Sequence, residues 1–207
     1  MELQGAKVGV IGAVTLETAA LVPPHRIAAI QFLPEAPRVN AEIAKLKAQG
    51  VNAIVLLLHE GLQTPVTPQP GPLAYAEVTG RLAEIARELE PGVDVIVSAH
   101  SHKFTNLMLP GRDGRPILVT QARSYGVGFS ETDLTIDRAN GEVVAFASRI
   151  LTPWADTGPG LKPDKAVEKL VAAASKITAV QENRPVGAAA RTLFLGRVGG
   201  DRDDRHP

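Results

Sequence analysis

Apolar positions along the chain follow two rhythms. Residues 7–14 read KVGVIGAV, residues 53–58 read AIVLLL and residues 93–98 read VDVIVS. Runs this short and this continuously apolar predict strands buried on both faces. Between them, Val39, Ile43, Ala44 and Leu46 recur at helical spacing up to Gly50, and Val78, Leu82, Ile85, Ala86 and Leu89 do so up to Pro91 and Gly92. Each set predicts a helix with one apolar stripe, stopped by glycine or proline. A further strand is expected over residues 27–33, and an irregular loop over residues 62–72, where proline, threonine and glutamine cluster. Strand, helix, strand, helix, strand in that order predicts a parallel sheet with right-handed crossovers.

After residue 103 the rhythm shortens. Strands are expected at 104–109, 117–121, 130–136 and 142–150, with turns at Gly111-Arg112-Asp113-Gly114 and Asn140-Gly141. Asn-Gly between alternating segments is a hairpin signal, so this half is expected to be antiparallel. The fold class is therefore α/β, a mixed parallel/antiparallel sheet with flanking helices. Residues 152–163, rich in proline and glycine, have the composition of a linker. Asp164 is placed to cap a helix over residues 164–180 whose Val167, Leu170, Val171 and Ile177 share a face. The tail from residue 199, GGDRDDRHP, lacks apolar residues and is expected to be disordered. The expected division is a domain over residues 1–151, a linker and helix over 152–187, and a tail or the start of another domain over 188–207.

Charge and composition narrow the function classes. The chain has 22 basic and 22 acidic side chains, so no net field holds a nucleic acid polymer or an anionic membrane. No apolar run approaches the ~20 residues that span a bilayer. The first residues lack a basic region followed by an apolar one, so no secretory signal is expected in this chain. Cysteine is absent, which removes thiolate ligands and a cysteine nucleophile and leaves His, Asp, Glu and Asn as metal donors.

Histidines mark the candidate chemistry. His59 follows the strand of LLLHEG, and His100 and His102 follow the strand of VSAHSH. Open parallel sheets place their sites at the carboxyl ends of strands, so these three side chains are expected to converge if the two strands are neighbours. In extended backbone His100 and His102 point the same way, toward one metal or one each, and Ser101 points away. His25 and His206 have no such company and are read as solvated. Glu60 is read as a surface carboxylate with a general base as the alternative, and Asp94 as closing a turn. No GxSxG, GxxxxGK[ST] or HExxH motif occurs. Histidine clusters without an activated serine fit water bound to a divalent cation attacking an ester, because the cation lowers the pKa of the water and stabilises charge on oxygen.

KVGVIGAVTLETA, LLLHEG, VDVIVSAHSH, QARSYGVGFSETDLTID and NRPVG occur in that order over residues 7–187. In this series the chain resembles the metal-dependent 5′-nucleotidase family of calcineurin-like metallophosphoesterases, and specifically the C-terminal half of their catalytic domain. The resemblance implies half of a sandwich of two sheets, ending in a linker helix. It implies a hydrolase that cleaves nucleotide phosphate monoesters. It also implies that His59 and His100 bind one divalent metal (zinc, manganese or iron) and that His102 binds the other. Ala99 stands where the family has the glycine of GHxH, Arg123 where a small residue is common, and Ser130 where a glycine usually follows. The GDxxxG and GNHE or GNHD blocks of the family do not occur in these 207 residues, and the DxH spacing occurs only in the charged tail, at Asp204 and His206, not ahead of the first strand where the family has it. One ion held by the three histidines, acting on a carboxylic or other ester, is the second reading. A non-catalytic domain that binds a partner through Arg123, Lys103 or the loop at 62–72 is the third. Half a sandwich exposes apolar strands, so a homo-oligomer or association with the missing half is expected. The expected small-molecule partner is a phosphate ester or other ester. Family members are often periplasmic or secreted.

Overall fold

The computed structural model describes residues 1–3, 5–69, 71–72, 77–152 and 162–188. Residues 153–161 of the linker expected at 152–163, and the whole of the tail expected from 199, with His206, lie outside the described residues. The chain forms two compact units, Met1–Trp154 and Ala155–Pro207.

In the first unit, β1 (Glu2–Leu3), β2 (Ala6–Val14), β3 (Ala53–His59), β4 (Val95–Ser98), β5 (Phe104–Pro110) and β6 (Pro116–Ala122) build one sheet in the order β1-β2-β3-β4-β6-β5. The four strands β2, β3, β4 and β6 run parallel, with antiparallel β1 and β5 at the edges. Two helices return the chain between parallel strands, α3 (Glu35–Ala48) after β2 and α4 (Arg81–Glu88) after β3. Their buried stripes, Ala36, Val39 and Ile43 on α3 and Leu82, Ile85 and Ala86 on α4, join Ile54, Leu56, Leu58, Ile96, Leu107 and Val119 of the sheet in one core. Gly9 lets α3 sit close, since a Cβ there would lie 2.7 Å from Leu46 Cδ1.

Two expectations need correction. No strand forms over residues 27–33; Pro23 and Pro24 open a short helix α2 (Pro24–Ile27), after the equally short α1 (Thr18–Leu21). Proline at a helix start is pre-set for that conformation, and Ile30 and Leu33 stay exposed because no strand offers them a neighbour. The second half is not purely antiparallel either. β5 takes the edge, and its hairpin inserts β6 beside β4 in parallel register, Val95↔Leu118 and Val97↔Thr120. The unbroken buried run from Ile117 to Gln121 is what a central strand carries.

The remaining two strands, β7 (Phe129–Ile136) and β8 (Val143–Leu151), form a separate hairpin across the Asn140-Gly141 turn, with a bulge at Thr135 and Ile136. It lies on the sheet face opposite the helices, where Asn106 Nδ2 donates to the Ser148 carbonyl at 3.1 Å. Farther along that face, Val10, Val14, Leu57 and Val97 are 45, 48, 46 and 36% exposed. Register makes Leu57 the neighbour of Val97, so these side chains form an uncovered apolar strip.

In the second unit, α5 (Lys165–Glu182) begins at Asp164, whose carboxylate accepts the amides of Ala166 and Val167. Those amides hold Asp164 below its ordinary carboxyl pKa. Val167, Leu170, Val171, Ile177 and Val180 of α5 are exposed.

Candidate functional site

The carboxyl ends of β2, β3, β4 and β6 lie side by side, and the loops that leave them form one edge of the sheet. After β2, the hydroxyl of buried Thr15 donates to Glu60 Oε2 at 2.7 Å, and the Glu17 amide donates to Thr15 Oγ1 at 3.1 Å. The Leu16 amide donates to Glu35 Oε1 at 3.0 Å, and Arg81 Nη2 reaches Glu35 Oε2 at 3.0 Å. Burial pushes the Glu35 carboxyl up, but the Leu16 and Glu35 amides and the Arg81 guanidinium outweigh it, so the net displacement is downward. An ionised Glu35 thus pins the loop that carries Glu17.

His59 ends β3 and is exposed on the face of the apolar strip, as the cross-strand neighbour of Val14. Glu60 turns the other way and is buried, which corrects the surface reading: it accepts from Thr15 and from the Gly61 amide at 2.9 Å. Gly61 then packs against the loop after β4, where a Cβ would meet Ser101 Oγ at 2.2 Å and the Ala99 carbonyl oxygen at 2.7 Å. Only glycine leaves that space. The Ala99 amide donates back to the Glu60 carbonyl at 3.2 Å, closing β3's loop onto β4's.

The loop after β4 is not extended. His100 and His102 have φ of 67° and 57°, in the left-handed region, and Arg123 and Tyr125 after β6 have φ of 62° and 56°. These four are the non-glycine residues of positive φ among the described residues, and all sit at this edge. Side-chain-bearing residues held in that region mark places where the surroundings over-determine the backbone. Ala99 is not among them, so alanine in place of the family glycine carries no conformational strain here.

This backbone separates the histidines. The rings of His59 and His100 stand edge to face with centroids 5.2 Å apart. His102 instead faces Tyr125, edge to face at 5.4 Å. His100 Nε2 lies 3.1 Å from Glu17 Oε2; the carboxylate can only accept, so Nε2 carries the proton and a neutral ring leaves Nδ1 as the donor atom. Two imidazole nitrogens and a carboxylate suit a divalent transition metal by donor type. Among the described residues, no group of three His, Asp or Glu side chains is close enough to hold an ion by itself. Glu17 and Tyr125, which meet the histidines, were not singled out from sequence; each comes from the loop of another strand, and only the pairing of the strands brings them here. Asp94, at the opposite end of the sheet, accepts the Ile54 amide at 2.8 Å and so fastens the start of β3 rather than a turn.

No family model matches the chain. A cell wall protein of Listeria monocytogenes, Lmo0130, is 35% identical over 75% of this chain and 20% of its own length. The endonuclease YhcR of Bacillus subtilis is 32% identical over 73% of this chain and 11% of its own. Among solved structures, a 5′-nucleotidase precursor from Thermus thermophilus superposes with a TM-score of 0.63 at 27% identity, covering 88% of this chain and 34% of that one. The chain thus spans about a fifth or less of these two relatives and about a third of the Thermus protein. Among the described residues no helix is long and apolar enough to cross a membrane. Sequence similarity and the shared mixed sheet together place the chain with the 5′-nucleotidase-type metallophosphoesterases, as the counterpart of one part of those longer proteins.

Proposed function

We propose that this chain carries part of a phosphoesterase centre, in which His59 and His100 ligate one divalent cation and His102 a second, for hydrolysis of nucleotide phosphate monoesters. The observation that carries the reading is the division of the histidines into a facing pair and a separate residue on Tyr125, at the edge where parallel sheets build their sites. That division favours two ions over a single ion held by all three. Bound cations lower the pKa of water and stabilise charge on the phosphoryl oxygens. The chain's own part is to present imidazoles in fixed orientation, with Glu17 holding His100 and the Thr15–Glu60 contact fixing the loop beneath His59. Further ligands have to come from polypeptide other than the described residues.

Metal content of the purified chain, measured beside His59→Ala, His100→Ala and His102→Ala, tests the reading. Zinc, manganese or iron that is lost in the variants supports it, and hydrolysis of mononucleotides, dinucleotide phosphodiesters and carboxylic esters then ranks the substrates. No metal uptake, with the variants indistinguishable from the parent, overturns metal binding by this chain alone and leaves a domain that depends on a partner or is non-catalytic. The uncovered strip of Val10, Val14, Leu57 and Val97 supports association with a second copy or with further polypeptide. The description of the Listeria relative as a cell wall protein supports a location outside the cytoplasm.

A further inference from the structure

We infer that Tyr125 is a positioning residue for His102, so that the end of β6 is a working part of the site; this rests on the reading of His102 as a ligand. The residues on both sides of His102 are fastened to that strand end. Ser101 Oγ accepts from Gln121 Nε2 at 2.9 Å, and the Lys103 carbonyl accepts the Arg123 amide at 3.2 Å. His102 is thereby held at a fixed height above β6, in left-handed backbone and exposed to solvent. An exposed imidazole on such a backbone still has its ring torsion free.

The Tyr125 ring narrows that freedom by favouring one orientation of the imidazole. It stands 5.4 Å from the imidazole at an interplanar angle of 67°, the edge-to-face geometry that aromatic quadrupoles favour. Tyr125 is itself 91% exposed, so its position is not a by-product of core packing. Its backbone is left-handed, a conformation that a tyrosine adopts only against a steric cost, and the loop gains no burial from it. What this conformation achieves is the placement of one aromatic edge on one histidine. A metal ligand whose ring is already oriented binds with less loss of freedom, which is how neighbours of ligating histidines tune affinity.

The test uses the full chain, without metal and then with zinc alone. Carbon-detected spectra of histidine-labelled protein at fixed pH give one ring signal per histidine, and the signal missing from His102→Gln identifies His102. Tyr125→Leu is expected to move the His102 ring signal and leave that of His25 in place, while Tyr125→Phe keeps the parent position. In calorimetric zinc titrations, Tyr125→Leu is expected to weaken the His102-dependent event roughly two- to tenfold, the range of an aromatic pair, with Tyr125→Phe restored to the parent. An unmoved His102 signal in Tyr125→Leu overturns the inference, and so does a Tyr125→Phe variant as altered as Tyr125→Leu. Absence of any zinc uptake by the parent counts against the proposed metal centre, and the side-chain couplings that report the His102 torsions then decide: averaged couplings in Tyr125→Leu against a single rotamer in the parent and Tyr125→Phe support positioning, and the same couplings in all three overturn it.

Discussion

The hydroxyl of Thr15 and the carboxylate of Glu60 meet at 2.7 Å across the carboxyl ends of β2 and β3, both residues buried. The contact ties the loop that carries Glu17 to the strand end that carries His59, so one hydrogen bond helps set the spacing of two groups that both contact His100. Thr15→Val removes the donor and leaves the carboxylate with the Gly61 amide. A buried acceptor deprived of its donor costs about 2 kcal/mol, so Thr15→Val is expected to lower the urea midpoint by that equivalent, and Thr15→Ser to retain most of it. Equal stability of Thr15→Val and the parent would show that water replaces the hydroxyl.

Gly61 is the point where the His59 loop touches the His100 loop. Because the nearest atoms to an added methyl are Ser101 Oγ at 2.2 Å and backbone oxygen of Ala99 at 2.7 Å, neither loop can yield without moving its histidine. Gly61→Ala is expected to cost about 2 kcal/mol and to separate the two rings. Thermal unfolding reads the first effect. The ring signals of His59 and His100 in the histidine-labelled protein read the second, and they should shift while that of His25 does not.

Asp94 carries a pH dependence. Burial raises its pKa to about 6, against the lowering effects of the Ile54 amide, Arg115 and Lys47 and with a smaller upward push from Glu142. In the unfolded chain the group returns to its ordinary value of 3.8. Between those values the folded state binds the proton more tightly, so the Asp94 contribution is fully present below pH 4 and is lost as pH rises through 6. With allowance for solvent screening, the change is about 2 kcal/mol. Asp94→Asn keeps an oxygen for the Ile54 amide, and is expected to flatten the stability profile between pH 4 and 7 and to exceed the parent in stability at pH 8. A parent profile already flat over that interval would place Asp94 in contact with solvent.

How far the sequence could be read follows from where each contact originates. The strands β2, β3 and β4 and the helices α3, α4 and α5 announce themselves, since a continuous apolar run or a helical stripe is a local property, but burial of those strands on both faces does not hold: Val10, Val14, Leu57 and Val97 leave one face exposed. The stretch from 27 to 33 is apolar by the same measure, yet Ile30 and Leu33 find no partner and remain exposed, because burial belongs to the whole fold. The parallel pairing of β6 with β4 was hidden by the hairpin that precedes it. His59, His100 and His102 were legible as candidates from their places after strands, but their mutual arrangement was not. Alternation in extended backbone would turn His100 and His102 the same way, and the left-handed φ of both residues sends one to His59 and the other to Tyr125.

The strip of Val10, Val14, Leu57 and Val97 has a consequence in solution. The helices cover one face of the sheet and the β7–β8 hairpin covers part of the other, but the strip lies on β2, β3 and β4, clear of the β5–β6 end on which Ser148 is seated. Large aliphatic side chains in adjacent register present the kind of contiguous apolar surface that soluble chains keep covered. The chain alone is therefore expected to self-associate at micromolar concentration, with light scattering reporting more than one copy. Because Leu57 and Val97 are cross-strand neighbours, the double substitution Leu57→Thr and Val97→Thr places β-branched side chains suited to strands at both positions while removing apolar area from the middle of the strip. It is expected to shift the population toward monomer with little loss of thermal stability, since both side chains are already partly in water. A parent chain that is monodisperse and monomeric would show that the strip is covered from within the chain. An equally associated double variant would place the contact elsewhere, with the exposed stripe of α5 as the next surface to change.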